Sequence, residues 1–249
     1  SLTGAGVAVT TTADNVTFTN LTTLGNGAAL TVTTSGTAPG SGDISFGTIR
    51  GTSSEDVTLN ASSANVSVGA IGNADEIETV ALTGATITLN GNITTADTAT
   101  NTVDLTGAVR LAADVTIDTD NATTDGNVTV TGTVDSANAT DRAFSVTAGG
   151  ADVSVTGAIG NTFDLASVTI SGNDLTLANI GGGASGVVGA TSVTATDAGD
   201  TALLTLTGTV YNTAGTQSYT GGATLGTSLT GAGVAVTTTA DNVTFTNLT

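Results

Sequence analysis

Cysteine, methionine, tryptophan, histidine and lysine are all missing from this 249-residue chain, and proline occurs once, at Pro39. Without cysteine there is no disulfide, no zinc-thiolate site and no thiol nucleophile. Without histidine the usual proton shuttle and metal ligand are gone, and with them every Ser-His-Asp or Cys-His arrangement. Without lysine no phosphate-binding loop of the Walker type can form. Aromatic residues make up only 3% of the chain, too few to fill a broad spherical core. Cations are nearly absent as well: Arg50, Arg110 and Arg142 stand against 21 acidic residues, for a net charge of −18. A field of that sign repels nucleic acid and anionic membrane surfaces. No apolar run approaches the ~18 residues of a membrane span, and no basic, apolar signal segment is seen.

What is present is glycine, 34 residues of it, and a hydrophobic content of 39%. That content is too high for a disordered chain. A thin core of small and β-branched side chains satisfies both facts.

The chain also repeats itself. Residues 228–249 reproduce residues 1–22, SLTGAGVAVTTTADNVTFTNLT, letter for letter. The spacing makes residues 1–227 one full period of a tandem array and residues 228–249 the start of the next. A shorter period lies inside: two apolar-alternating segments around a short polar turn, then one more apolar residue. It is seen in VTLNASSANVSVGAI (57–71), VALTGATITLNGNI (80–93), FSVTAGGADVSVTGAI (144–159) and VTISGNDLTLANI (168–180). VAVTTTADNVTFTNL (7–21), LTVTTSGTAPGSGDISFGTI (30–49) and VTATDAGDTALLTLTGTV (193–210) fit the same frame, whereas 106–143 and 211–233 resist it.

Strict alternation is the signature of half-buried strands, and no helical stripe competes with it. Tight Asn-Gly or Asp-Gly turns are scarce, which disfavours hairpins. Stacking of successive units instead predicts an all-β parallel β-helix, a β-solenoid of about ten coils of ~23 residues per period. The expected inward columns are Val16, Ile44, Val66, Ile87, Val128, Val153, Leu175 and Leu204, and beside them Phe18, Phe46, Val68, Leu89, Val130, Val155, Leu177 and Leu206. Two sheets are expected to be well formed and the third side to be a poorer one, built from polar closing segments.

The segment AGTQSYTGGATLGTSLTG (214–231), running into NVTFTNL, together with GDISFGTI, resembles repeats of large secreted bacterial exoproteins of the filamentous haemagglutinin type. These include two-partner-secretion adhesins and β-strand repeat proteins. The resemblance implies a right-handed β-helical shaft, export to the cell surface, and a role in adhesion, biofilm matrix or filament formation.

The expectation is therefore a structural, non-enzymatic segment of an extracellular bacterial surface protein. Its partners would be its own neighbouring repeats and an unidentified receptor or matrix component. A carbohydrate-binding or polysaccharide-cleaving β-helix and a surface-layer lattice protein are the alternatives. No catalytic or cofactor-binding residue is singled out. Asp118, Asp120 and Asp125, with Asn121 between, are candidate oxygen ligands for Ca2+ from one loop, although Ala122 breaks the EF-hand spacing. SGNDLTLANIGGG (171–183) echoes calcium-binding β-roll repeats but occurs once. Thr-x-Thr pairs at Thr17/Thr19, Thr129/Thr131 and Thr205/Thr207 read more simply as strand propensity than as an ice-binding array. Asn-x-Thr/Ser triplets at Asn15, Asn20, Asn60, Asn65, Asn92, Asn121, Asn127 and Asn138 are candidate glycosylation positions. Tyr211 and Tyr219 mark either a lateral contact or a covered corner of the core.

Overall fold

A computed structural model describes residues 2–3, 6–35, 37–72, 77–98, 100–182, 186–196, 203–225, 235–238 and 241–248. Residues 197–202, 226–234 and 239–240 lie outside it, and with them part of the VTATDAGDTALLTLTGTV unit, the end of the haemagglutinin-like segment and the opening of the second copy. Gly183 of the Gly-rich phrase lies outside as well. Among the described residues there is no helix, hence none long and apolar enough to cross a membrane.

Short β-branched segments cannot bury both faces alone, so each lies in register on the equivalent segment one turn earlier. Among the described residues every strand pairing is parallel, and the one antiparallel contact is an isolated bridge between Ala38 and Ser41. The result is the expected parallel β-helix, with three faces per coil.

On the first face the inward column runs Val7, Leu30, Val57, Val80, Val103, Val128, Val153, Leu175 and Leu204, and the backbone of Ala223 pairs next in line. On the second it runs Val16, Ile44, Val66, Ile87, Val109, Val134, Ile159, Ile180, Tyr211 and Val236. On the third it runs Thr22, Ile49, Ile71, Ile93, Ile117, Val146, Ile170, Val193, Tyr219 and Phe245. Val7 to Ala223 is nine turns in 216 residues, an average of 24 per turn. These columns form one continuous core, each buried Val, Leu or Ile adding about 1.5–3 kcal/mol of transfer free energy.

Two details of the expected packing are corrected. The expected column from Val16 to Leu204 is two columns: Val16, Ile44, Val66 and Ile87 lie on the second face, but Val128, Val153, Leu175 and Leu204 lie on the first. Its companion divides likewise, Phe18, Phe46, Val68 and Leu89 from Val130, Val155, Leu177 and Leu206. The cause is a change of phase in the middle of the rod. Residues 57–71 occupy faces one, two and three in turn, whereas the look-alike 144–159 starts on the third face at Phe144 and ends on the second at Ile159. The stretch 106–143, where the pattern blurs, is where the phase changes.

The third side also differs from the polar seam expected. It is thin in the early coils, reduced to Ile71 and to Ile93–Thr94. It then becomes a sheet of its own with Val115–Asp118, Arg142–Thr147, Leu165–Gly172 and Thr191–Ala195. Over the same coils the second face shrinks to single bridges at Ile159 and Ile180. The coil keeps its girth by growing one side as another narrows.

The corner between first and second faces is built on close approach. Gly84, Gly107, Gly132 and Gly157 stack there coil upon coil, and a Cβ on Gly132 would overlap the Gly107 carbonyl oxygen. The preceding threonines hold the turn, Thr131 and Thr156 donating their backbone N–H to Leu105 and Val130 oxygens, each at 2.9 Å.

Candidate functional site

On the first and second faces six strands begin with the same tetrad: Asn15-Val16-Thr17-Phe18, Asp43-Ile44-Ser45-Phe46, Asn65-Val66-Ser67-Val68, Asn127-Val128-Thr129-Val130, Asp152-Val153-Ser154-Val155 and Asp174-Leu175-Thr176-Leu177. The apolar pair points inward. In five of them the leading Asn or Asp reaches along the rod and accepts a backbone N–H from the next coil. Asn15 Oδ1 accepts from Asp43 at 2.8 Å, and Asp43 Oδ1 from Asn65 at 2.9 Å. Asn127 accepts from Asp152 at 3.0 Å, Asp152 from Asp174 at 3.1 Å, and Asp174 from Leu203 at 2.9 Å. A strand's first N–H has no ladder partner in a parallel sheet that starts at a corner, so the side chain supplies one.

Acidic side chains elsewhere do the same work. Asp164 accepts the Gly186 N–H at 2.6 Å. Asp97 receives the Thr123 hydroxyl at 2.7 Å and the Thr124 N–H at 2.8 Å, and these bonds hold its carboxyl below the usual carboxylate range. Much of the negative charge thus serves as inter-coil hydrogen-bond acceptors.

Glu55 is the most enclosed of these acids. It receives the N–H groups of Thr52 at 2.7 Å, Ser53 at 2.8 Å and Gly27 at 3.2 Å, and the Thr52 hydroxyl at 3.1 Å. Burial pushes its carboxyl up, but the three backbone donors and the hydroxyl outweigh that and hold it below its ordinary 4.5. It ties the Asn26-Gly27 turn of one coil to the loop of the next.

The calcium candidates come only partly together. Asp125 is committed to the protein, accepting from the Asn121 N–H at 2.8 Å and the Gly150 N–H at 2.6 Å. Asp118 accepts the Asp120 N–H at 3.2 Å. Asp120 Oδ1 and Asp125 Oδ2 both border Gly149, 2.7 and 2.5 Å from where a Cβ would stand. Among the described residues no group of three or more acidic side chains is arranged to hold a metal ion.

Several of the glycosylation-type asparagines are also occupied as acceptors: Asn60 by the Ser62 N–H, Asn92 by the Thr116 N–H and Asn138 by the Thr140 N–H, each at 2.9 Å. Asn121 instead donates its Nδ2 to the Ala96 oxygen at 3.1 Å. Asn20 is exposed. Thr17/Thr19 lies on the second face, whereas Thr129/Thr131 and Thr205/Thr207 lie on the first, three coils apart with Ser154 and Thr176 between Thr129 and Thr205. They build no flat array.

Both tyrosines are core residues. Tyr211 and Tyr219 are fully buried, edge to face at 6.3 Å. Tyr211 donates its hydroxyl to the Leu177 oxygen at 3.2 Å and accepts the Gly208 N–H at 2.9 Å; Tyr219 donates to Gln217 Oε1 at 2.8 Å. Burial pushes Tyr211 up to about 12 and Tyr219 further still, the Tyr211 charge adding to the latter.

These shifts bound the pH range of the fold. A depressed Glu55 contributes stability above pH 4.5, and that contribution is lost as pH falls through its folded value. Raised tyrosines contribute fully below pH 10, and theirs is lost as pH rises through 10 towards 12 and beyond. With no lysine or cysteine to titrate alongside, near-ultraviolet absorbance reads the tyrosines cleanly. We expect no tyrosinate at pH 10 and its appearance only with unfolding at higher pH; a simple titration centred at pH 10 would contradict their burial.

One feature has no counterpart in the sequence reading. Arg110 and Asp135 are neighbours on the outer side of the second face, Nη1 and Oδ2 2.9 Å apart without hydrogen-bond alignment, so the contact is ionic. Asp135 is fully buried and also accepts the Thr162 N–H at 2.7 Å. Phe163 roofs the pair, its ring centroid 5.8 Å from the Arg110 guanidinium. An arginine in a chain with three was the available signal.

Two surface hollows, of about 390 and 330 Å3, lie over outward sheet positions and are lined mainly by Thr, Ser, Asn and Ala. Neither holds an aromatic side chain or a carboxylate pair. Comparison with protein-family models, with curated proteins and with solved structures gives no match.

Proposed function

We propose that this chain is a length of structural shaft from an extracellular bacterial adhesin or filament protein, working by reach, stiffness and resistance to attack. The observation that carries this reading is the use to which polar chemistry is put. The acidic and amide side chains that might have formed a site are spent, coil after coil, on binding the next coil. The 22-residue repeat supports it too, because the second copy pairs onto the preceding coils as an ordinary continuation of the rod.

Rod length then scales with copy number, at about 4.8 Å per coil and about 45 Å per period. Three arginines, each within a strand, leave a protease of tryptic specificity little to cut. Charge of one sign keeps rods apart, and divalent cations screen it and let them associate. The partners in this reading are the neighbouring repeats and a surface or matrix component that other parts of the protein engage.

Electron microscopy of the full chain beside versions lengthened by one and two periods tests the proposal. The expected result is thin rods that grow by about 45 Å per period, separate in chelator and bundled in calcium. Particles that stay compact as periods are added would refute it.

A further inference from the structure

We propose that a tandem array of this sequence turns by one face of the β-helix with every period, so that each surface patch recurs on the next face, nine coils further on. The inference rests on the tandem reading of the repeat, and its evidence is that identical sequence sits on different faces at the two ends. In the first copy Val9 lies on Val32 of the first face and Phe18 on Phe46 of the second. In the second copy the equivalent Val236 lies on Tyr211 of the second face, and Phe245 on Tyr219 of the third.

Chain length requires this step. From Ala223 on the first face to Val236 is 13 residues. Passage from first to second face takes between 5 residues (Leu175 to Ile180) and 14 (Leu30 to Ile44), whereas a complete turn averages 24. Thirteen residues therefore reach the next face and cannot circle the rod.

The packing tolerates the step because the sequence is not specific to a face. Phe18 stacks on Phe46 with centroids 4.7 Å apart and planes at 14°, and Phe245 stacks on Tyr219 at 5.0 Å and 15°. The Asx tetrad occurs on the second face at Asn15, on the first at Asn127, and on the third at Asn242.

A knob such as Arg110–Phe163 would thus point to three sides in succession and return to its starting side after three periods, about 135 Å of rod. A partner recognising one patch would find it from any direction.

The absence of cysteine makes the test clean. In parallel pairs, Cα partners lie within the ~4.4–6.8 Å that a disulfide spans. Two double variants of the full chain are oxidised gently and read by non-reducing gel and mass spectrometry: N212C/T237C, partners in the offset register, and T224C/A235C, which would be opposed if the second copy repeated the first on the same face. T129C/S154C, partners inside the rod, is the reference. Closure of the first pair with the second left reduced supports the offset. Closure of the second pair, or of neither while the reference closes, overturns it. An offset found in a chain that forms no lengthening rods would remove the shaft reading and leave the offset standing.

Discussion

Gly132→Val opens the β-helix at its sixth coil, and trypsin reports the opening. Gly132 sits in the glycine stack between first and second faces, where any Cβ overlaps the Gly107 carbonyl and crowds the Ala108 backbone nitrogen of the preceding coil. Backbone cannot move aside as a flexible side chain can, so the two coils must separate locally. Over-packing usually costs about 1–3 kcal/mol, and with a rigid neighbour we expect the upper end or more. A solenoid takes that loss locally, because each coil contacts only its neighbours. Arg110 and Arg142 lie in the fifth and sixth coils and Arg50 in the second. Limited trypsinolysis should therefore cut the variant after Arg110 and Arg142 while sparing Arg50, with the parent chain uncut. Gly150→Ala is the control, since its Cβ would meet only the Asp125 carboxylate oxygen at 3.2 Å. A Gly132→Val chain as resistant as the parent would show that the corner is looser than its geometry.

Arg110→Met is expected to cost about 3–5 kcal/mol, the usual price of stranding a buried charge. The asymmetry of the pair sets the sign of the comparison. Arg110 is 23% exposed and keeps some water when its partner is lost, but Asp135 is fully buried. Removing the arginine is thus worse than Asp135→Asn, which retains an acceptor for the Thr162 N–H. The double variant R110M/D135N should recover a good part of the loss, because no charge is then left unpaired. Urea unfolding of the four proteins supplies the cycle. Equal, small losses in both single variants would mean the pair is solvated and worth no more than a surface contact.

Both predictions rest on features that only stacking creates. The glycines were visible, but their use was not, since nothing in Thr131-Gly132 says which backbone lies above it. The Asx tetrads were visible as alternating strands, and of their leading residues Asn15, Asn65 and Asn127 read as candidate glycosylation positions. Asp120 and Asp125 do converge on Gly149, yet Asp125 is held by the Asn121 and Gly150 N–H groups. Tyr211 and Tyr219 fell where the pattern was irregular, and only the described core shows them buried with their hydroxyls satisfied.

Alternation in segments as short as Val128–Val130 was enough to establish strands, an inward and an outward side, and a parallel coil in place of hairpins. Those properties are local: they follow from period-two side-chain geometry and from the scarcity of tight turns. The face that each strand occupies was decided by the tertiary structure alone. Face is the running sum of every step along the chain before it, and steps from five residues (Leu175 to Ile180) to fourteen (Leu30 to Ile44) all make the same passage between the first two faces. Residues 57–71 and 144–159 therefore read alike and sit a face apart, just as Phe18 and Phe245 do.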